Sequence, residues 1–294
     1  SIAGRPNVGK STLLNAILGE KIAITTNKPQ TTRNSIRGIY TKLGETDDDD
    51  LQMIFIDTPG IHKPKTKLGD FMTETAIGTF NEVDAIIFIT DDKLSAGPGD
   101  KYILEILKNV PTPKILVINK IDKLGPEKYV EIFNEYDETG VFDQIIGTSA
   151  ANGQNVQEVI DVVSGYMEEG PMYFPEDMVT DHPERFIVSE IIREKILLYL
   201  EDEVPHGVGV EMMAMKKMND NFMEIDATIY CERDSHKGII IGKHGDMLKK
   251  ISSMARADCE KFMGTRVYLT TWVKVKENWR DSTVSLRNFG FTNE

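Results

Sequence analysis

Read by its hydrophobic periodicity, the chain changes character near residue 170. Up to that point short apolar runs rich in β-branched residues alternate with amphipathic stretches of helical period. The runs Leu51–Ile56, Ala85–Thr90, Lys114–Asn119 and Gln144–Thr148 predict strands, and Leu68–Phe80, Asp100–Leu107, Glu127–Glu138 and Val156–Met167 predict helices. Strands and helices in alternation imply a mainly parallel sheet, an α/β domain over residues 1–170. Pro-punctuated residues 171–183 read as a linker.

Beyond the linker the order becomes α-β-β-α-α-β. A helix starts near Pro183 and carries Ile187, Ile191, Ile192 and Leu198; strands follow at Val210–Lys216 and Ile225–Cys231. In the latter, Ile225, Ala227, Ile229 and Cys231 share one face while Asp226, Thr228 and Tyr230 share the other. Then come Lys237–Gly245, a helix over Met247–Met263 and a strand over Val267–Val275. Residues 184–281 therefore form a smaller α+β domain, and 282–294 a tail.

The chemistry is concentrated at the start. Gly4-Arg5-Pro6-Asn7-Val8-Gly9-Lys10-Ser11 has the G-x-x-x-x-G-K-S spacing of a phosphate-binding loop, with Thr12 leading into a helix and Gly19 as its C-cap. Glycines let backbone N–H groups turn inward onto phosphate oxygens, and the helix N-terminus adds its dipole. Lys10 reaches the β- and γ-phosphates, and the Ser11 hydroxyl can ligate Mg²⁺. The chain opens at Ser1 almost directly on this loop, so the strand expected before it reads as truncated, and any targeting peptide would lie upstream.

Three further motifs follow in the order a nucleotide site needs. Asp57-Thr58-Pro59-Gly60 ends a predicted strand, so Asp57 arrives where it can hold Mg²⁺ through water and the Gly60 N–H where it can meet the γ-phosphate. Asn119-Lys120-Ile121-Asp122 ends another. The Asp122 carboxylate can accept from guanine N1–H and the exocyclic amine, whereas adenine would leave a buried carboxylate unpaired, which favours GTP over ATP by about 10⁴ or more. Asn119 braces the loop and reaches the base edge, Lys120 packs against the ring, and Ser149-Ala150-Ala151 supply backbone N–H groups to guanine O6. Between the first helix and Ser35, Thr25–Arg33 suits a switch loop that gives a hydroxyl to Mg²⁺ when γ-phosphate is bound; Thr32 is the first candidate and Thr31 the second.

Composition narrows the partners. The net charge is −13, which excludes a protein that coats nucleic acid or anionic membrane nonspecifically. Between Asp234 and Asp281, however, ten Lys/Arg face six Asp/Glu, a local net charge of +4. Two cysteines, Cys231 and Cys259, are too few for a disulfide framework or a cysteine zinc site; both read as core residues and fit a reducing cytosol. No apolar run approaches the roughly 18 residues of a membrane span. The carboxylates Asp47–Asp50 read as a solvated hairpin turn in preference to a calcium site, and His62, beside the Asp57 motif, as a bystander in preference to a base.

Taken together, Gly4–Ser11, Gln30-Thr31-Thr32-Arg33, Asp57–Gly60, Asn119–Asp122 and Ser149–Ala151 resemble the TrmE–Era–EngA group of translation-factor-related GTPases. Phe174-Pro175-Glu176-Asp177 and the C-terminal pattern narrow the resemblance to the bacterial Era family, over essentially the whole chain. It implies a P-loop NTPase domain followed by a type II KH domain. In the latter, Gly242-Lys243-His244-Gly245 is the G-x-x-G loop, and Lys237, Ile241, Gly242, Lys243, His244, Gly245, Lys249 and Lys250 are the expected RNA contacts. The exposed set of the last strand, Tyr268, Trp272, Lys274 and Lys276, either faces RNA or is an ordinary solvated face. Ile61 stands where many regulatory GTPases carry a water-orienting glutamine. The resemblance implies a substitute, a K⁺ ion held by Asn7 against the phosphates, so the catalytic set becomes Asn7, Lys10, Thr32 and Gly60, with slow, K⁺-stimulated hydrolysis.

The implied role is a cytoplasmic, monomeric GTP/GDP switch. It would bind small-subunit ribosomal RNA near its 3′ end, assist 30S subunit biogenesis and make peripheral contact with the inner membrane. Two alternatives stand beside it: a tRNA-modification GTPase, for which this chain has no spare domain, and an RNA-binding adaptor that binds GTP without hydrolysing it, which Ile61 favours.

Overall fold

The computed structural model describes residues 1–46, 49–61, 63–64, 66–91 and 97–291, except for the Asn288 side chain. They fall into two compact units. The first comprises residues 1–23, 32–65 and 69–181, the second 24–31, 66–68 and 182–294.

In the first unit β1 (Ile2–Gly4) feeds α1 (Lys10–Leu18), and β2 (Ile36–Lys42) turns into β3 (Leu51–Asp57). After these come α2 (Lys67–Gly78), β4 (Ile86–Thr90), α3 (Pro98–Leu107), β5 (Lys114–Asn119), α4 (Pro126–Asp137), β6 (Gln144–Thr148) and α5 (Val156–Ser164). The six strands lie in the order β2-β3-β1-β4-β5-β6, all parallel except the β2–β3 pair. β4 and β5 are buried along their length, as strands covered on both faces must be. The apolar run therefore reads as continuous and not alternating. Ala3, Ile61, Phe80, Phe88, Leu116 and Tyr136 belong to one cluster in this core.

The sequence pattern did not yield β2. Its burial follows no strict alternation and it contains Gly38, a poor strand former. It forms because it pairs with β3 over seven residues, from Ile36 opposite Asp57 to Lys42 opposite Leu51. That register has a functional result: the chain leaving residues 32–35 enters β2 beside Asp57. The hairpin turn is closed by Thr46 Oγ1 donating to Asp49 at 2.8 Å and Gly44 N–H donating to Asp50 at 2.8 Å. Asp47 and Asp48, the other carboxylates of the acidic run, lie outside the described residues. Two helices are shorter than expected: α2 gives way to a 3₁₀ turn at Thr79–Asn81, and α5 stops at Ser164 where Gly165 follows.

The second unit holds α6 (Glu184–Tyr199), β7 (Gly209–Asn219), β8 (Phe222–Cys231), α7 (Asp234–Ile241), α8 (Asp246–Met263), β9 (Arg266–Val275) and α9 (Thr283–Asn288). β7 pairs antiparallel with β8, which pairs parallel with β9. Ile225, Ala227, Ile229 and Cys231 point into a core with Ile187, Ile192, Ile251 and Cys259, so both cysteines are core thiols. Burial pushes the Cys259 thiol up to about 12. Within the tail lies α9, with Ser282 capping it through its hydroxyl. Trp279 is fully buried, donates from Nε1 to Gly207 O at 2.9 Å and packs edge-on against Phe289. Residues 276–291 thus close the unit, a role with no periodic signal in so short a segment.

Both tryptophans of the chain, Trp272 and Trp279, are in the second unit, so indole fluorescence follows that unit alone. Ile229→Ala, which removes a fully buried side chain, should destabilise it by about 2–5 kcal/mol. The check is urea denaturation followed by tryptophan emission, in which the midpoint should fall.

Candidate functional site

The phosphate loop runs from Gly4 at the end of β1 to Ser11 in the first turn of α1. Gly9 sits at φ 108°, and a Cβ there would stand 2.1 Å from Asn119 Nδ2, so only glycine fits. Asn7 also takes a positive φ, 68°. Val8 is core, while Pro6 and Thr12 are half-buried. Lys10 Nζ, buried, donates to Gly4 O at 3.1 Å and Arg5 O at 2.9 Å. Burial lowers its pKa to about 8, against the opposing pull of Asp57.

At the end of β3, Asp57 is fully buried. Its Oδ2 accepts from Ser11 Oγ at 2.6 Å and Thr32 Oγ1 at 3.4 Å, and the two hydroxyls are 2.9 Å apart. Its Oδ1 has no partner among the described residues. Burial raises the Asp57 pKa to about 6, with Lys10 and the two hydroxyls acting the other way. A buried carboxylate with one orphaned oxygen beside two hydroxyls has the hard-oxygen chemistry that Mg²⁺ requires. Thr32, not Thr31, faces this cluster. The Thr31 hydroxyl donates to Lys28 O at 2.6 Å and lies 2.6 Å from Thr26 Oγ1. In the second unit, Arg193 donates to Gln30 O at 3.2 Å and also to Thr31 O.

Thr58 has a structural task within the sheet. Its hydroxyl donates to Ile2 O at 2.7 Å and is fully buried, so the side chain ties β1 to β3. Pro59 and Gly60 are buried, with Gly60 against Pro6 of the phosphate loop. Ile61 is fully buried in the core, so it cannot orient a water. His62 lies outside the described residues.

The base-reading loops are braced by the phosphate loop itself. Asn119 Nδ2 donates to Val8 O at 2.8 Å and its Oδ1 accepts from Ala150 N–H at 3.0 Å, so Asn119 braces both the phosphate loop and the Ser149–Ala151 loop. Lys120 donates to Asn7 O at 2.9 Å and to Asp91 at 3.1 Å. Asp91 carried no signal in the sequence. Asp122 is exposed, not buried as the reading of its selectivity assumed, and its Oδ1 accepts from Ser149 Oγ at 2.6 Å. Of the three N–H groups expected to serve O6, that of Ser149 goes to Gln154 O at 3.1 Å and that of Ala150 to Asn119. Ala151 is exposed at the tip of the loop.

In the second unit, Gly242 (φ 74°), His244 (φ 54°) and Gly245 (φ 84°) bend the chain between α7 and α8. Lys243, His244 and Lys249 are exposed and Lys237 and Ile241 half-buried, while Lys250 Nζ stands 4.2 Å from the centre of the Tyr199 ring. Tyr268 and Trp272 project from β9 into solvent, 61% and 62% exposed.

Residues 1–120 match a family model described as 50S ribosome-binding GTPase, and residues 203–280 one described as KH domain. GTPase Era from Alkaliphilus oremlandii is 54% identical over 99% of this chain and 97% of its own. Two solved structures share 39% identity. One is a variant of Era from Aquifex aeolicus bound to GDP·AlF4⁻, with a TM-score of 0.93 over 99% of this chain and 98% of that one. The other is Era in complex with MgGDPNP and nucleotides 1506–1542 of 16S ribosomal RNA, with a TM-score of 0.92 over 99% and 97%.

The shifted pKa values at Asp57 and Lys10 set a pH dependence. From about pH 4 to about pH 6, folded Asp57 keeps a proton that the unfolded chain has lost, so stability falls as pH rises through this window. From about pH 8 to pH 10.5, folded Lys10 has lost a proton that the unfolded chain keeps, so stability rises with pH. Asp57→Asn should remove the acid limb, worth at most about 3 kcal/mol. Thermal melts of the two proteins without added nucleotide or Mg²⁺ should diverge between pH 4 and pH 6.

Proposed function

This chain belongs to the GTPase Era family, and from that membership we infer that it is a GTP-hydrolysing switch that binds small-subunit ribosomal RNA near its 3′ end during 30S subunit assembly. The observation that carries the nucleotide half is the buried Ser11–Thr32–Asp57 cluster with its orphaned carboxylate oxygen, directly behind the phosphate loop. The RNA half is supported by the matched KH model, the exposed G-x-x-G loop and the relative solved with 16S ribosomal RNA.

In the proposed mechanism Ser11, Thr32 and, through water, Asp57 hold Mg²⁺, which bridges and neutralises the phosphates. The loop N–H groups and Lys10 take the β- and γ-phosphates, so Lys10 exchanges two backbone carbonyls for phosphate oxygens. The Gly60 N–H meets the γ-phosphate and fixes the attacking geometry. Asp122 reads guanine N1–H and the 2-amino group through two hydrogen bonds, with Ala151 N–H free at the loop tip for O6. Asn7 would help to hold a K⁺ ion, which would supply positive charge against the charge developing in the transition state. This would offset the missing glutamine, since Ile61 is spent in the core. On the RNA side, Lys237, Lys243, Lys249 and Lys250 meet phosphates, and Ile241 to Gly245 let the backbone approach the strand closely. The protein acts as a cytoplasmic monomer. The expected contact with the inner membrane surface is a peripheral one; no helix among the described residues is long and apolar enough to cross a bilayer.

Three measurements test this reading. Multiple-turnover phosphate release from GTP should be faster in K⁺ than in Na⁺, and the absence of turnover in both would leave the non-hydrolysing adaptor. Asp122→Asn should lower GTP affinity by about 10²-fold or more and gain xanthosine triphosphate binding, because the amide can donate to the 2-oxo group. In-cell crosslinking should enrich the 3′ end of small-subunit ribosomal RNA and lose it in Gly245→Asp, which strains the left-handed bend at φ 84° and sets a carboxylate where phosphate would approach. Enrichment of tRNA instead would favour a tRNA-modification GTPase.

A further inference from the structure

Arg5 occupies the first variable position of the phosphate loop, where binding phosphate demands no particular side chain. It makes two ion pairs with distant parts of the same unit. Its Nε donates to Asp100 Oδ2 at 2.6 Å and its Nη2 to Asp91 Oδ1 at 3.0 Å. Asp100, in the first turn of α3, is fully buried, and Asp91, just past β4, is 4% exposed. The helix accommodates the arginine stem at Gly99, where a Cβ would come within 2.9 Å of Arg5 Cδ. Asp91 turns its second oxygen, Oδ2, to Lys120 Nζ at 3.1 Å, and that ammonium also holds Asn7 O at 2.9 Å.

One carboxylate therefore joins a cation of the phosphate loop to a cation of the guanine-reading loop. Burial acts to raise the Asp91 pKa, but Lys120 and Arg5 outweigh it and hold the group below the usual carboxylate range, so it stays charged. A group of two buried acids and two half-buried bases is a poor way to gain stability, since well-packed apolar residues do as well or better. Its Asp100 Oδ1 even lacks a partner among the described residues. What the arrangement does supply is registry between two loops that must grip opposite ends of one ligand.

We propose that Asp91 is a positioning residue for guanine-nucleotide retention: by dividing its two oxygens between Arg5 and Lys120, it fixes the base-reading loop relative to the phosphate loop. The proposal rests on the GTP-binding reading above. Asp91→Asn keeps the shape and removes the charge, leaving an amide that can serve only one of the two cations. Release of a fluorescent GDP analogue should then be about 10- to 100-fold faster, and KM for GTP should rise in step. The kcat at saturating GTP should fall by no more than about threefold, because the phosphate contacts of the transition state are untouched.

Arg5→Lys, which replaces separate Nε and Nη2 contacts to Asp100 and Asp91 by one ammonium, should speed release in the same sense. The double variant should be no worse than the more severe single one, as members of one network behave. Wild-type release rates in folded Asp91→Asn would overturn the proposal, and so would additive effects in the double variant or a fall in kcat at unchanged KM. If Asp91→Asn does not fold, release from Arg5→Lys decides the matter alone. Failure of the wild-type protein to bind GDP at all would instead overturn the GTP-binding reading, and this proposal with it.

Discussion

A carboxylate held out of water is unfavourable to ionise until a cation meets it, and the first unit is arranged around such a group at Asp57. Its position is set by the last residue of β3, its neighbours by the first turn of α1, and its third contact by the chain entering β2. Each element reaches the cluster because the sheet puts strand ends and helix starts along one edge, the general location of ligands in open α/β sheets. The buried lysine nearby obeys the same logic with opposite sign. Lys10 and Asp57 are both shifted toward their neutral forms by burial, and a magnesium–nucleotide complex carries the two charges that reverse this.

The second unit is built on a different principle. Its core is a conventional apolar layer between helices and a three-stranded sheet, while the surface proposed for RNA is a short bend of left-handed backbone. Two glycines and a histidine hold positive φ there, which brings main chain to the surface with little side chain around it. The acidic balance of the whole chain confines attraction for phosphate to such a spot, so recognition should be local and saturable.

How much of this was legible in the sequence depends on what constrained each residue. Phosphate, magnesium and guanine each dictate residue type and spacing within a few positions, so Gly4–Ser11, Asp57 and Asn119–Asp122 could be read directly. The same holds for the apolar face of Ile225–Cys231, which is buried as its alternation predicts, although Thr228 and Tyr230 on the other face are largely covered too. β2 was missed because its pairing with β3, not its own pattern, makes it a strand. That the Thr58 hydroxyl is committed to β1 could not be read from the motif that contains it. The exposure of Asp122 was also invisible, since burial of a loop carboxylate is a tertiary property. The ion pairs of Arg5 lay furthest out of reach: they join residues 86 and 95 positions apart, and no local pattern links them. The burial of Trp279 follows only from the fold that surrounds it.

The β2–β3 hairpin separates chemistry from variation. Seven paired residues span about 20 Å of strand, so the turn after Lys42 lies that far from the carboxylate at the other end. Changes of length or charge at the turn are absorbed by solvent and by the ladder before they can reach Asp57. The same geometry makes this turn a suitable attachment point, where a fluorophore or affinity tag could report on the protein without touching the groups that handle nucleotide.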